Sequence, residues 1–109
     1  MATKLQEKVW QAISEIPKGK VTTYKELAKS VESRAVRAVA SAVGKNPYAP
    51  KVPCHRVVLS NGKIGNYTHP KGVARKIELL RSEGVDVDSN GYIIDFKDKL
   101  FEFSTQILH

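Results

Sequence analysis

Cys54, His55 and Arg56 stand side by side in the segment Val52-Pro53-Cys54-His55-Arg56-Val57-Val58, between a proline and an apolar run. Cys54 is the only cysteine of the chain. A thiol is a nucleophile only as its thiolate, and cationic or basic neighbours lower its pKa from about 8.5 toward neutrality. His55 and Arg56 are such neighbours, although adjacent side chains on a strand point to opposite faces. The chemistry open to this group is nucleophilic attack by sulfur. His55 would take the thiol proton, through a water because consecutive side chains rarely align. Glu83 could orient the imidazole in one tautomer and stabilise its charged form. The competing reading of a lone cysteine is a buried, inert residue. For Glu83 it is an exposed carboxylate near a helix end, where the dipole is of unfavourable sign.

Several elements must position these residues. Leu5, Val9, Ile13 and Ile16 share one face and predict a helix from Thr3 to Ile16, with Thr3-x-x-Gln6 as a capping box. Pro17-Lys18-Gly19 stops it. Val21-Thr22 reads as a short extended piece. Thr23-x-x-Glu26 is a second capping box, opening a helix through about Ser30, and Ser33 can cap a third from Arg34 to Lys45. The short interval between these two helices fits a helix-turn-helix. In the third helix Val36, Val39, Ala40 and Val43 form an apolar stripe. Arg34, Arg37, Ser41 and Lys45 lie opposite, with Ala35, Ala38 and Ala42 between them. A cationic face with short side chains lets a helix approach DNA closely; a solvated amphipathic helix is the other reading the residues leave open.

Asn46 to Pro53 holds three prolines and predicts an ordered, non-helical loop. Val57-Val58-Leu59, Ser60-Asn61-Gly62 and Lys63-Ile64 predict a strand, a turn and a returning strand. Val73, Ile77 and Leu80 mark a last long helix with Gly84 at its C-terminal cap. Val85 to Asp88 and Tyr92 to Phe96, around Ser89-Asn90-Gly91, predict a terminal hairpin, while residues 97–109 give no clear signal.

The chain has 109 residues, 41% hydrophobic and 27% charged, which fits one globular domain spanning 1–109. A single cysteine excludes an internal disulfide. The N-terminus lacks an apolar signal core, and no run approaches a membrane span. A soluble, cytoplasmic protein without a membrane partner is the expectation. Charge is uneven: residues 1–80 carry 15 Lys/Arg against 5 Asp/Glu, and residues 81–109 carry 3 against 6. A basic body suggests a polyanionic partner.

Pro53-Cys54-His55-Arg56-Val57 resembles the active-site motif of the methylated-DNA–protein-cysteine methyltransferases, which repair O6-alkylguanine. Other motifs follow that family's order. Ile16-Pro17-x-Gly19-x-Val21-x-x-Tyr24-x-x-Leu27-Ala28 resembles its entry to the helix-turn-helix, and Arg37-Ala38-Val39 its recognition helix. Asn46-Pro47, the stretch from Gly62 to Tyr67, and Leu79-Leu80-x-x-Glu83-Gly84 complete the set. The resemblance spans roughly Val9 to Gly84 and is to the family's C-terminal DNA-binding and active-site domain. It implies a mainly α fold with small β hairpins, a winged-helix-like helix-turn-helix domain.

The resemblance also implies roles. Cys54 would accept the alkyl group, with His55 and Glu83 as its relay. Tyr24, otherwise a core residue of its short helix, would give a proton to the departing guanine. Asn46 would tie the recognition helix to the active-site loop. Tyr67, Thr68 and the Val58 backbone would contact the substrate. Arg37 would enter the base stack in place of the flipped nucleotide, from a helix in the minor groove whose face also carries Arg34, Ala38, Ser41 and Lys45. The implied partner is double-stranded DNA bearing an alkylated guanine, bound by a monomer. Two departures are visible. Ala40 stands where the family has glycine, and Thr68-His69-Pro70-Lys71-Gly72 is longer by about two residues than the family's loop. The N-terminal domain of larger members is missing from this reading. His69 and His109 with one cysteine make no zinc-ligand pattern, and neither a metal nor a cofactor is expected.

Two other functions are open. Short alkyltransferase-like proteins bind lesions without transfer, and they resemble this chain with the cysteine replaced, typically by tryptophan. A helix-turn-helix transcription regulator would explain Arg34 to Lys45, but neither Pro53 to Val58 nor Glu83.

Overall fold

The first helix, α1 (Lys4–Ile13), starts at the expected capping box. The Thr3 hydroxyl accepts from the Gln6 N–H at 3.1 Å, and the Gln6 side-chain oxygen accepts from the Thr3 N–H at 2.9 Å. Two otherwise orphaned donors are thereby satisfied. The helix ends three residues before its apolar pattern does, and Ile16 stays buried beyond it. The computed structural model describes residues 2–67 and 69–103; Thr68 and residues 104–109, with His109 among them, lie outside the described residues.

A two-residue strand, β1 (Thr22–Thr23), runs directly into α2 (Tyr24–Ser30). Thr23 caps α2 by accepting from the Glu26 N–H at 3.0 Å. The helix closes on Glu32 in the left-handed region, φ 56°. Ser33 N–H bonds to Ala28 O at 2.9 Å and Glu32 N–H to Lys29 O at 3.0 Å, the paired bonds of a Schellman turn.

The third helix, α3 (Val36–Gly44), begins two residues later than its pattern predicts. The Ser33 hydroxyl accepts from the Ala35 N–H at 3.1 Å, inside the turn, and does not cap the helix. Arg34 therefore precedes α3. The apolar face is also rotated from the predicted stripe: Val39, Ala42 and Val43 are buried, while Val36 is 41% exposed. Packing against α1 sets this rotation, for the Trp10 indole N–H donates to Ala42 O at 2.8 Å. The small side chain at Ala42 lets the indole come this close.

After the proline-containing loop, a 3₁₀ turn (Cys54–Arg56) leads into β2 (Val57–Val58). β2 pairs with β1 in parallel, Thr22 opposite Val57 and Thr23 opposite Val58. The predicted strand-turn-strand at 57–64 is thus corrected. Leu59 and Lys63 close a tight turn, with Leu59 N–H to Lys63 O at 2.9 Å, but Ile64 N–H turns away to Gly91 O at 2.8 Å. Both valines of β2 are fully buried, and a strand covered on both faces finds its partner inside the fold.

The fourth helix, α4 (Gly72–Ser82), has Glu83 as its C-cap. Val85 N–H bonds to Leu80 O at 2.9 Å and Gly84 N–H to Arg81 O at 3.0 Å, with Gly84 at φ +88°. Glycine adopts this conformation without steric cost. Beyond it the terminal hairpin is reduced to a bridge between Val87 and Ile93, while Tyr92 bridges back to Lys63. Asp95, at φ 57°, ends it, and Phe96, predicted as strand, opens the short helix α5 (Phe96–Lys99). Residues 99–101 then run beside β1, with Val21 N–H to Lys99 O at 2.9 Å and Phe101 N–H to Val21 O at 2.7 Å.

Two cores result. One joins α1, α2 and α3 with Cys54, Val57 and Phe103; the other gathers Val21, Val58, Ile64, Leu80, Val85 and Ile93. Alternation along β2 sends Val57 into the first and Val58 into the second. The cysteine-bearing turn therefore sits at the seam of both. The result is a mainly helical domain with one small sheet and helix-turn-helix character in α2 and α3.

Candidate active site and nucleic-acid interface

Cys54 lies on the inner wall of a cleft of about 940 Å³ and is 7% exposed. Tyr24 from α2, Arg37 from α3, Asn46 from the loop after α3, and Gly65 and Tyr67 from the segment after β2 line the same cleft. Asn46 is held at both ends of its amide. Its Nδ2–H donates to Val52 O at 2.7 Å, two residues before the cysteine, and its Oδ1 accepts from the Tyr48 N–H at 2.9 Å.

Behind the cysteine, His55 is 1% exposed. Its Nε2 lies 3.0 Å from Glu83 Oε2. Arg56 grips the same carboxylate in a fork, Nε–H to Oε1 at 2.9 Å and Nη2–H to Oε2 at 2.7 Å. Its Nη1–H donates to Ile16 O at 2.7 Å. Burial opposes ionisation of Glu83, but the bonds from Arg56 and His55 outweigh it and hold the carboxyl below the usual carboxylate range. An ionised Glu83 can only accept, so Nε2 carries the proton and Nδ1 holds the free lone pair. Nδ1 is buried and has no protein partner among the described residues. Burial pushes the imidazole below its usual value, against the pull of Glu83, and the positive charges of Arg56 and Lys76 add to the depression. His55 is therefore neutral in neutral solution, with its basic nitrogen unengaged.

The sequence reading missed two members of this group. One is Arg56 as the partner of Glu83. The other is Lys76, fully buried on α4, whose Nζ donates to Val57 O at 2.8 Å and Asn66 O at 3.0 Å. Burial lowers its pKa from 10.5 to about 8, while the nearby Cys54 acts in the opposite sense. The signal was present: in Val73-x-x-Lys76-Ile77-x-x-Leu80 a lysine occupies an apolar position of an amphipathic helix. Tyr24 and Tyr67 both keep their protons more tightly than a free phenol, through burial first and then through Cys54 beside them.

Arg37, Ala38, Ser41 and Lys45 are all exposed along α3, with Arg34 exposed in the turn before it. Arg37 alone of these lines the cleft. Val36, predicted to face the core, and Ala40 line it too. Glu83, for which an exposed position was the other reading, is largely buried, at 9% side-chain exposure. Val58 does not line the cleft: its side chain packs into the second core and its residue pairs with Thr23. Thr68 falls outside the described residues.

A helix-turn-helix domain with a cysteine at the floor of a cleft beside its second helix is the class this fold and site define. The chain matches the family described as 6-O-methylguanine DNA methyltransferase, DNA binding domain, over residues 4–85, and it belongs to that family. The match concerns the DNA-binding domain and lends no support to the C-terminal placement read from the sequence. The chain is 46% identical over 82 residues to the bifunctional transcriptional activator/DNA repair enzyme Ada of Escherichia coli, covering 74% of this chain and 23% of that protein. It is 46% identical over 83 residues to a methylated-DNA–protein-cysteine methyltransferase of Methanosarcina acetivorans, covering 75% and 52%. It thus spans between about a quarter and about half the length of these curated relatives. Among solved structures, Mycobacterium tuberculosis OGT in complex with DNA superposes at a TM-score of 0.71 with 42% identity, covering 76% of this chain and 51% of that one. S. pombe Atl1, in complex with damaged DNA containing O6-carboxymethylguanine, superposes at 0.77 with 30% identity, covering 94% of this chain and 100% of that one. No helix among the described residues is long and apolar enough to cross a membrane.

Proposed function

We propose that this chain repairs duplex DNA by moving the alkyl group of O6-alkylguanine irreversibly onto Cys54, once the damaged nucleotide has been turned out of the stack. One observation carries the reading: Cys54 lies in a cleft beside α3, with the neutral His55 and its ionised Glu83–Arg56 support directly behind it. His55 Nδ1 takes the thiol proton through a water, and Glu83 stabilises the imidazolium that forms. The thiolate then attacks the alkyl carbon in line as its bond to the guanine oxygen breaks. The electron pair of that bond leaves with the base. Tyr24, still protonated in its buried position, gives the base a proton, and the proton held by His55 restores Tyr24 by way of water. The products are a thioether on Cys54 and ordinary guanine.

On the DNA side, the α3 face of Ala38, Ser41 and Lys45, with Arg34 from the turn before it, enters the minor groove of the duplex, and a monomer suffices for this contact. Arg37 fills the gap left by the flipped nucleotide, a step that costs a few kcal/mol and least at a damaged pair. Tyr67, which lines the cleft, contacts the alkylated oxygen, a role the family resemblance also gives to Thr68. Asn46 couples α3 to the cysteine turn through Val52.

Intact-mass spectrometry after mixing with methylated-guanine duplex tests this reading. The mass should rise by one methyl per chain and then stop, even with lesion in excess, and Cys54→Ser should bind DNA without gaining mass. Repair beyond one equivalent would refute the stoichiometry. Tight binding of lesion duplex with no mass gain would favour a second reading, a lesion-binding protein without transfer. The superposition on S. pombe Atl1, held in a complex with damaged DNA, is the observation on that side.

A further inference from the structure

The relay at His55 leaves one buried charge unexplained. Lys76 has no exposed surface, yet it stands on the apolar face of α4 where Val73, Ile77 and Leu80 would predict another aliphatic residue. A buried ammonium is retained only where its hydrogen bonds and its charge are both used. Its two carbonyl partners bracket the site. Val57 O belongs to the strand that follows the cysteine turn, and Asn66 O directly precedes Tyr67. Nζ also lies 3.8 Å from the position a Cβ would take at Gly65, whose backbone lines the cleft. The ammonium is therefore beneath the cleft floor. Residues 76 and 83 are two helical turns apart, so α4 delivers both groups from one face.

We propose that Lys76 is a positioning residue for the cysteine: its ammonium, bonded to Val57 and Asn66, fixes the cleft floor and supplies the standing positive charge beside which the Cys54 thiolate forms. His55 gains a charge only by taking the thiol proton, because burial and the charges of Arg56 and Lys76 keep it neutral beforehand. Lys76 holds its charge without needing the thiol proton. Lys25, Arg37 and Lys63 line the cleft; the ionisable groups that feel the charge of the sulfur are Tyr24 from α2, Tyr67 from the segment after β2 and Lys76 from α4. Of these last three, Lys76 is the one that is positive in neutral solution. The inference rests on reading Cys54 as the acceptor.

The test uses the full chain and its Lys76→Met variant, with folding checked by circular dichroism and the pH profile of Cys54 alkylation followed by mass spectrometry. Iodoacetamide needs neither DNA nor lesion, so this arm stands even if the repair reading fails. The variant should react about tenfold more slowly near neutrality and converge with the wild type at alkaline pH, because only the thiolate fraction has changed. A folded variant with an unshifted profile overturns the charge role. Methyl transfer from lesion duplex at the wild-type rate overturns the positioning role while leaving the repair reading intact. If Lys76→Met does not fold, the wild type suffices. The Lys76 ε-methylene, followed by NMR, should titrate at lower pH once Cys54 is capped with iodoacetamide, because the ammonium has lost its negative neighbour. An unchanged titration after capping overturns the proposal.

Discussion

Two helices bring cations to this molecule and treat them in opposite ways. α4 keeps Arg75 and Arg81 on its surface, but with the 3₁₀ turn it packs against it buries two cations: Lys76 between two carbonyls, and Arg56 in a fork on Glu83. α3 and the turn before it leave Arg34, Arg37 and Lys45 exposed, and among the described residues none of the three is in an ion pair. Buried charges are fixed by geometry and barely screened by salt, whereas exposed ones are screened within about a Debye length of 8–10 Å. The buried set is preorganised and can tune a pKa. The exposed set is held by nothing in the protein and suits an external polyanion. Under the proposed function, chemistry falls to the buried set and recognition to the exposed one. The two sets should therefore respond to mutation, pH and salt in different ways.

The largest effect is expected where the buried set is broken. Glu83→Gln keeps the shape of the side chain but leaves Arg56 without its counter-ion and His55 without its support. Methyl transfer should slow by roughly a hundredfold or more. Stability should also fall, by about 3 kcal/mol, because an unpaired charge remains in the interior. Urea unfolding and single-turnover kinetics measure the two effects separately. A stability loss near zero with transfer abolished would mean that Glu83 serves the chemistry alone and that Arg56 is balanced elsewhere.

That double role was only half legible in the sequence. Cys54 and His55 stand out by type and adjacency, while Glu83 was named as their partner through the family resemblance. Arg56 follows His55 directly, and strand alternation would turn it the other way. The 3₁₀ turn brings both side chains to one carboxylate. Helices were legible where a side chain closed a local bond, as at Thr3 and Thr23, or where glycine was required, as at Gly84. The pairing of β1 with β2 was not, since two-residue strands carry no period and their partner is over thirty residues away. The rotation of α3 was hidden too, because it depends on the Trp10 indole meeting Ala42.

Next in size is a pH effect that separates the two sets. Lys76 holds its proton less tightly in the fold, at about 8, than in the unfolded chain, at 10.5. Between these values the unfolded state binds more protons, so this residue's contribution to stability rises with pH. Its amplitude is about 3–4 kcal/mol. The stability of the wild type minus that of Lys76→Met should grow across that window, measured by urea unfolding at each pH. On the acid side His55 and Glu83 are both depressed. Their contributions are fully present above the unfolded values of 6.5 and 4.5 and are lost as pH falls through the folded ones. Arg37→Ala should change neither limb. A difference curve for Lys76→Met that is flat through the alkaline window would break the contrast between a tuned interior and an untuned surface.

The exposed set should answer to salt. Arg37→Ala should leave stability within about 0.5 kcal/mol. If Arg37 also makes a phosphate contact, its loss would reduce the slope of log binding constant against log salt by about one. Repair in duplex should slow more than reaction with the free modified base, because only the duplex requires flipping. Equal slowing on both substrates would move Arg37 from recognition to the pocket wall it also forms.

The smallest effect concerns the turn that aims α3. Glu32 takes the left-handed conformation at the end of α2 without the glycine such turns favour. The strain of a non-glycine residue there is about 1 kcal/mol, partly offset by the freedom glycine gains when unfolded. Glu32→Gly should stabilise the domain by about 0.5 kcal/mol in urea unfolding. Glu32→Gln removes the charge and keeps the strain, so it should leave stability nearly unchanged while strengthening duplex binding to the same extent as Gly. If Gln stabilises as much as Gly, the cost at Glu32 is electrostatic. If Gly weakens duplex binding while Gln strengthens it, the strained turn is what holds α3 at its angle, and the exposed set is more preorganised than its lack of ion pairs suggests.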